Sequence, residues 1–189
     1  WRHALNWYGG MGIIVLVVAI LPLLGVGGMQ VYKAETPGPM KDEKLTPRIT
    51  QTARALWFIY FMITGACIAS LKLAGMNWFD AICHAFAALS LGGFSTYDAS
   101  VGHFDSPAIE AVLIVFMLIA AMNFSRHFIA WQQKSLRTYL GDVEARALLL
   151  IIGLSTLGLA LLIWFEGVYP SFATSLRHVA FNLVSIATD

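Results

Sequence analysis

The stretch Trp78-Phe-Asp-Ala-Ile-Cys-His-Ala-Phe-Ala-Ala-Leu-Ser-Leu-Gly-Gly-Phe-Ser-Thr-Tyr-Asp98 decides how this chain is read. It opens with about a dozen residues that favour helix, too few to cross a bilayer, which takes ~20. The run breaks at Gly92-Gly93 and turns polar at Ser95, Thr96 and Asp98. Apolar segments long enough to span lie on both sides. A short helix and then glycine-rich extended chain, set between two spans, has the pattern of a re-entrant pore loop. Non-helical backbone at membrane depth is tolerated only where protein buries it or water lines it. Gly92 and Gly93 are therefore expected to let the chain aim carbonyl oxygens at a passing cation.

Composition agrees with a chain in lipid. Of 189 residues, 58% are hydrophobic and 12% charged, with a mean hydropathy of +0.71; an ordinary soluble domain carries about 25% charged residues. The expected class is an all-α integral membrane protein. A net charge of +1 gives no reason to expect a nucleic-acid partner. Cys67 and Cys83 sit inside apolar segments without CxxC spacing, so inert buried thiols are expected. There is no basic start followed by a small-residue cleavage site. The chain begins without Met and ends at Thr188-Asp189 straight after an apolar run, so a piece of a longer protein is expected.

Read in order, residues 9–31 form a first span, kinked at Pro22. Gly25-Val-Gly27 is not a dinucleotide loop, because Gln30 stands where a third glycine is required and no strand precedes it. Residues 32–50 are a polar connector whose prolines and mixed charge argue against regular helix. It is either a solvated loop or a docking surface for a soluble partner. A second span covers 53–74, with Lys72 snorkelling near its end. Gly75-Met-Asn77 turns the chain into a pore helix over 78–90, with a filter segment at 91–94. Ser106-Pro107 starts a third span, 107–131. Its polar run Asn123-Phe-Ser-Arg-His127 places Arg126 either at the inner interface or in a pore-facing role. A connector at 132–145, a fourth span at 146–165 and a short amphipathic helix at 171–186 complete the chain.

Nine of the twelve basic residues fall between 32 and 54 or between 126 and 146. The positive-inside rule puts residues 32–52 and 132–145 in the cytoplasm, so the pore loop enters from outside. Six of the eleven acids (Asp80, Asp98, Asp105, Glu110, Glu166 and Asp189) lie toward that side. They are expected either to concentrate cations at the mouth or to be ordinary solvated acids. Ala53-Arg-Ala-Leu-Trp-Phe-Ile59 matches Ala145-Arg-Ala-Leu-Leu-Leu-Ile151 at five of seven positions. Each match is followed by a span, an outer turn and a short helix. The expected unit is helix, pore helix, filter, helix, repeated as in potassium channels. Residues 1–52 then close one repeat, 53–131 form a complete one, and 132–189 begin the next.

Trp7-Tyr-Gly-Gly-Met-Gly-Ile13, Ala34-Glu-Thr-Pro-Gly-Pro39, Leu45-Thr-Pro-Arg48 and above all Leu91-Gly-Gly-Phe-Ser-Thr96 resemble the TrkH branch of the Trk/Ktr/HKT superfamily of potassium transporters. Phe181-Asn-Leu-Val-Ser-Ile-Ala-Thr188 is similar to the pore helix of a following repeat. The resemblance implies a bacterial inner-membrane subunit of four repeats, each giving one quarter of a selectivity filter. It also implies a homodimer regulated by a cytoplasmic, TrkA-like nucleotide-binding ring. By the motif, Gly93 is the filter glycine, and the carbonyls of Leu91 and Gly92 face the ion, with Ser90 beside them. Thr188 and Asp189 begin the next filter segment. Potassium is then the transported substrate, and no covalently bound cofactor is expected.

Carbonyl oxygens can replace the water shell of potassium without net charge, so the ion is held weakly enough to leave. The C-terminal dipole of the pore helix favours a cation at the same place. Phe94 is expected to brace the filter from behind or to pack in the core, and Ser95 and Thr96 to hold the descending strand. His84 and Asn182 are expected to make packing hydrogen bonds. Two rivals remain. One is an intramembrane serine hydrolase using Ser95 with His84 or His103, which lacks a G-x-S-x-G elbow. The other is a non-conducting membrane scaffold that docks a cytoplasmic partner through residues 32–50; it leaves the Gly92-Gly93 break without a purpose.

Overall fold

The computed structural model describes residues 1–15, 45–122, 124–133 and 142–188. The Pro22 kink, connector residues 32–44, residues 134–141 and Asp189 lie outside the described residues. Helix α1 covers Arg2–Val15, α2 Leu45–Leu73, α3 Trp78–Ser90, α4 Pro107–Ala121, α5 Phe124–Gln133, α6 Val143–Phe165 and α7 Phe172–Thr188. A short 3-10 turn, Ser100–Phe104, precedes α4. Among the described residues, two segments are long and apolar enough to cross a membrane by length and composition, Ala53–Leu73 of α2 and all of α6.

Two helix boundaries differ from the sequence expectation. Helix α2 begins at Leu45, inside the stretch thought too proline-rich for helix. Pro47 falls in its first turn, where the missing N–H has no intrahelical partner to lose. The span expected over 107–131 is two helices, α4 and α5. The chain turns extended at Met122 (ψ 151°), and the Ile119 carbonyl takes the Met122 N–H at 3.2 Å and the His127 ring at 3.0 Å. Arg126, just after the break, pairs with Asp142 at 3.3 Å, and that carboxylate side chain is only 4% exposed. Arg126 is thus an internal tie to the start of α6.

The core forms where α1, α2 and α4 pack around α3. Ala81, Ala85 and Ala88 give α3 a smooth face that meets Leu56, Tyr60, Leu71, Leu113 and Met117. Small residues let backbones approach closely, as is usual between helices in lipid. At the tightest point, a methyl group added to Gly10 of α1 would lie 3.2 Å from the Ser90 Cα. Trp7 holds this crossing in place. Its ring stacks on Tyr60 and Phe86 at 5.2 and 4.9 Å, and its indole N–H donates to the Thr64 hydroxyl at 3.1 Å.

The repeat has a geometric counterpart. His84 Nδ1 bonds back to the Asp80 carbonyl at 2.8 Å and Ser90 to the Phe86 carbonyl at 2.8 Å. On α7, Asn182 bonds back to His178 and Thr188 to Val184, each at 2.9 Å. The two short helices end 98 residues apart, at Ser90 and Thr188, whereas the sequence match in the long helices is spaced by 92. The excess lies in the outer turn and in α7, which has 17 residues against 13 in α3.

Candidate functional site

The site is the C-terminal end of α3 and the chain that returns from it. The helix starts with a local cap. Asn77 Oδ1 accepts the Asp80 N–H at 2.8 Å, while Asn77 Nδ2 donates to Asp80 Oδ2 at 2.6 Å. The Asn77 oxygen satisfies one backbone donor that helix geometry leaves without a partner, and the side-chain bond steadies the cap.

The other end is more unusual. Gly92 N–H bonds to the Ala87 carbonyl at 2.9 Å, and Leu91 sits in the left-handed region at φ 51°, ψ 49°. This is a Schellman ending. At the ends of α2 and α6 the same ending places Gly75 and Gly167 at positive φ. Here a leucine takes the glycine's position, at about 1–2 kcal/mol for a residue bearing Cβ. Gly93 follows at φ 64°, while Gly92 is not among the residues of positive φ. The sign of φ thus alternates over 91–93, which can bring successive carbonyls to one side instead of alternating them as in a strand. Among the described residues, none donates a hydrogen bond to the carbonyl oxygens of Leu91, Gly92 or Gly93. Leu91 and Gly92 are half-buried and Gly93 is exposed, so these acceptors stay open to whatever lies beside the loop.

Beyond Gly93 the chain is tied at each step. His3 Nε2 lies 3.3 Å from the Phe94 carbonyl, and Arg2 donates to the Ser95 carbonyl at 3.2 Å. The Ser95 hydroxyl lies 2.9 Å from His84 Nε2 and accepts the Tyr97 N–H at 3.2 Å. Thr96 and Tyr97 hydroxyls donate to the two oxygens of Asp80, each at 2.9 Å. The bond to this carboxylate, more than its slight burial, holds the Tyr97 phenol above its ordinary range. Asp80 itself is 1% exposed. The tight side of the loop is Gly92, where an added methyl would come within 2.9 Å of Asn6 Nδ2.

Several sequence expectations change here. Asp80 was grouped with acids that face the outer mouth, but it is buried and fully engaged as the clasp of the returning chain. Glu110 and Asp105 are paired with Arg177. Of the six acids, Asp98, Asp105 and Glu166 are exposed, Asp105 while paired with Arg177; Asp189 lies outside the described residues. Phe94 does not pack in the core. It is 45% exposed, and Arg2 lies 4.3 Å above its ring. Thr188 ends α7, and its hydroxyl is turned back onto that helix. Arg2, His3 and Asn6 were not singled out from sequence, and Asp80 was named only as an outer acid. Only the Asn77-x-x-Asp80 spacing could have pointed to one of them.

The pair of Ser95 and His84 has the spacing of a nucleophile and base but not the support. His84 Nδ1 is committed to a backbone carbonyl. The carboxylate nearby is held by Thr96, Tyr97 and Asn77 and does not orient the imidazole. In a hydrolytic triad that position is filled by an acid bonded to the ring. Among the described residues, no three His, Cys, Asp or Glu side chains converge as a metal centre.

Comparison with known proteins gives a consistent result. A family model described as "TrkH: Cation transport protein" matches residues 1–177. The Trk system potassium uptake protein TrkH of Halomonas elongata is 52% identical over 188 residues, covering 100% of this chain and 39% of that protein. The TrkG protein of Escherichia coli K12 is 43% identical, again over 100% of this chain and 39% of its own length. The crystal structure of the potassium transporter TrkH from Vibrio parahaemolyticus superposes with a TM-score of 0.84 at 46% identity, covering 99% of this chain and 37% of that one. The chain thus spans about two fifths of the length of the curated relatives it matches. On this evidence the chain belongs to the TrkH family of cation transport proteins.

Proposed function

We propose that this chain contributes one quarter of a potassium-selective filter to a full-length subunit that moves potassium across the bacterial inner membrane. The family comprises multi-pass membrane transport proteins and not enzymes. The observation that carries the reading is the run of open carbonyls at Leu91, Gly92 and Gly93, set at the negative end of α3 and bounded on both sides by hydrogen bonds. Ser90 supplies the adjoining carbonyl at the helix end, and Thr188 with Asp189 opens the equivalent segment of the next repeat. Potassium sheds water as these oxygens, with those of three further repeats, take its place. Asp80, His84, Ser95 and Thr96 fix where the oxygens stand. Potassium is cargo here.

Gly93→Ala in the full-length subunit tests this directly. The added Cβ would have to adopt φ 64°, which disfavours the native turn by about 1–2 kcal/mol. Potassium-dependent growth of an uptake-deficient host should fall and sodium should compete better. Unchanged uptake and unchanged selectivity would reject the filter assignment.

We also propose that the subunit works as a homodimer with a TrkA-like cytoplasmic ring docked on residues 32–50. The basis is the connector's length, prolines and mixed charge. Deleting residues 36–47 should abolish co-purification with the ring; retained binding would reject the docking site.

A further inference from the structure

Arg177 on α7 grips Glu110 on α4 with a two-pronged contact, Nε to Oε2 at 2.7 Å and Nη2 to Oε1 at 2.8 Å. Its Nη2 also reaches Asp105 Oδ1 at 2.9 Å. The Glu110 side chain is 8% exposed. Such forked pairing fixes orientation as well as distance, and a lysine cannot reproduce it.

What lies along the same seam gives this pair a consequence. Arg177, Phe181 and Ser185 are four residues apart and share one face of α7. Glu110, Leu113 and Met117 share one face of α4. Phe181, Ser185, Leu113 and Met117 together line a small cavity of about 40 Å³ whose other walls include His84, Gly93, Phe94 and Ser95. The α7 face thus forms a rear wall to the returning chain, and the ion pair clamps that wall at one end. Space behind the chain is room into which it can move, so the setting of α7 governs how firmly Gly93 and its carbonyl are held.

We propose that Arg177 and Glu110 are positioning residues for the filter segment of the second repeat. By setting α7 against α4, they fix the rear wall behind Gly93–Ser95 and thereby sharpen discrimination of potassium from sodium. This rests on the filter reading above. One repeat's short helix would then steady the reading element of the repeat before it.

The experiment uses the full-length subunit in proteoliposomes, with potassium and sodium permeabilities measured on folded, monodisperse protein. Arg177→Lys keeps the charge and loses the fork. Phe181→Leu alters the rear wall and leaves the pair intact. Both should lower the potassium-to-sodium permeability ratio by about tenfold, while potassium flux changes much less. The double exchange Glu110→Arg with Arg177→Glu should recover part of the ratio lost in Arg177→Glu alone. Gly93→Ala is measured alongside. If Gly93→Ala shifts the ratio and neither Arg177→Lys nor Phe181→Leu does, the positioning role is overturned and the filter stands. If Gly93→Ala leaves the ratio unchanged, the filter reading itself fails.

Discussion

Asp80→Asn removes one negative charge and almost no volume from the clasp that holds the returning chain. The carboxylate takes three side-chain donors, from Thr96 at 2.9 Å, Tyr97 at 2.9 Å and Asn77 at 2.6 Å. An amide offers one oxygen to these donors and sets its own NH₂ against at least one of them. Hydrogen bonds to a charged group contribute ~1.5–3 kcal/mol each, and their neutral counterparts ~0.5–1.5. Thr96 and Tyr97 are only half-buried, so water replaces part of what is lost. A net cost of about 2 kcal/mol follows, falling on the attachment of 95–97 to α3. That raises the population of detached strand roughly 30-fold. The Asn77 cap on the Asp80 N–H survives, so α3 itself should persist. The assay pairs thermal unfolding of the full-length subunit in detergent with its potassium-to-sodium permeability ratio in liposomes. Both should fall, and Asp80→Ala should be worse. If Asp80→Asn leaves both unchanged, the carboxylate is a bystander and the clasp does not hold the filter segment.

Two other substitutions probe the backbone. Leu91→Ile keeps volume but puts a β-branched residue at φ 51°; it should lower thermal stability by roughly 1–2 kcal/mol, whereas Leu91→Gly should be near neutral. Equal melting temperatures for the two variants would contradict the left-handed assignment. Gly10→Val sets a branched side chain against the Ser90 backbone, which cannot give way, and should cost about 1–3 kcal/mol. Crosslinking between cysteines placed on α1 and α3 should weaken in that variant, and an unchanged yield would show that the crossing is looser than 3.2 Å implies.

Much of the architecture was legible because lipid imposes strong length constraints. A helix of about a dozen residues is too short to cross and pointed to a re-entrant element, and the structure has that helix at Trp78–Ser90. What escaped was longer in range or finer in detail. The Gly92-Gly93 pair marked the break, yet the residue that turns left-handed first is Leu91, and no propensity would choose leucine there. The break after Met122 has no proline or glycine to announce it. The polar run from Asn123 to His127 was visible, but its purpose depended on Asp142, sixteen residues beyond Arg126. Asp80 looked like any surface acid because its partners, Thr96 and Tyr97, meet it only after the chain has doubled back. Arg177 had no partner visible in its neighbourhood, since Glu110 is 67 positions away. Local spacing reveals caps and breaks; it says nothing of which distant side chain closes a network.

The returning chain is fastened at Ala87 through Gly92 N–H and again at the Phe94 carbonyl through His3, leaving two peptide units between the fixings. So short a suspended length has little slack of its own. A small tilt of α3 would shift one abutment relative to the other and change the spacing between the oxygens they carry. On the filter reading, a motion that rocks this helix would change the spacing of those oxygens.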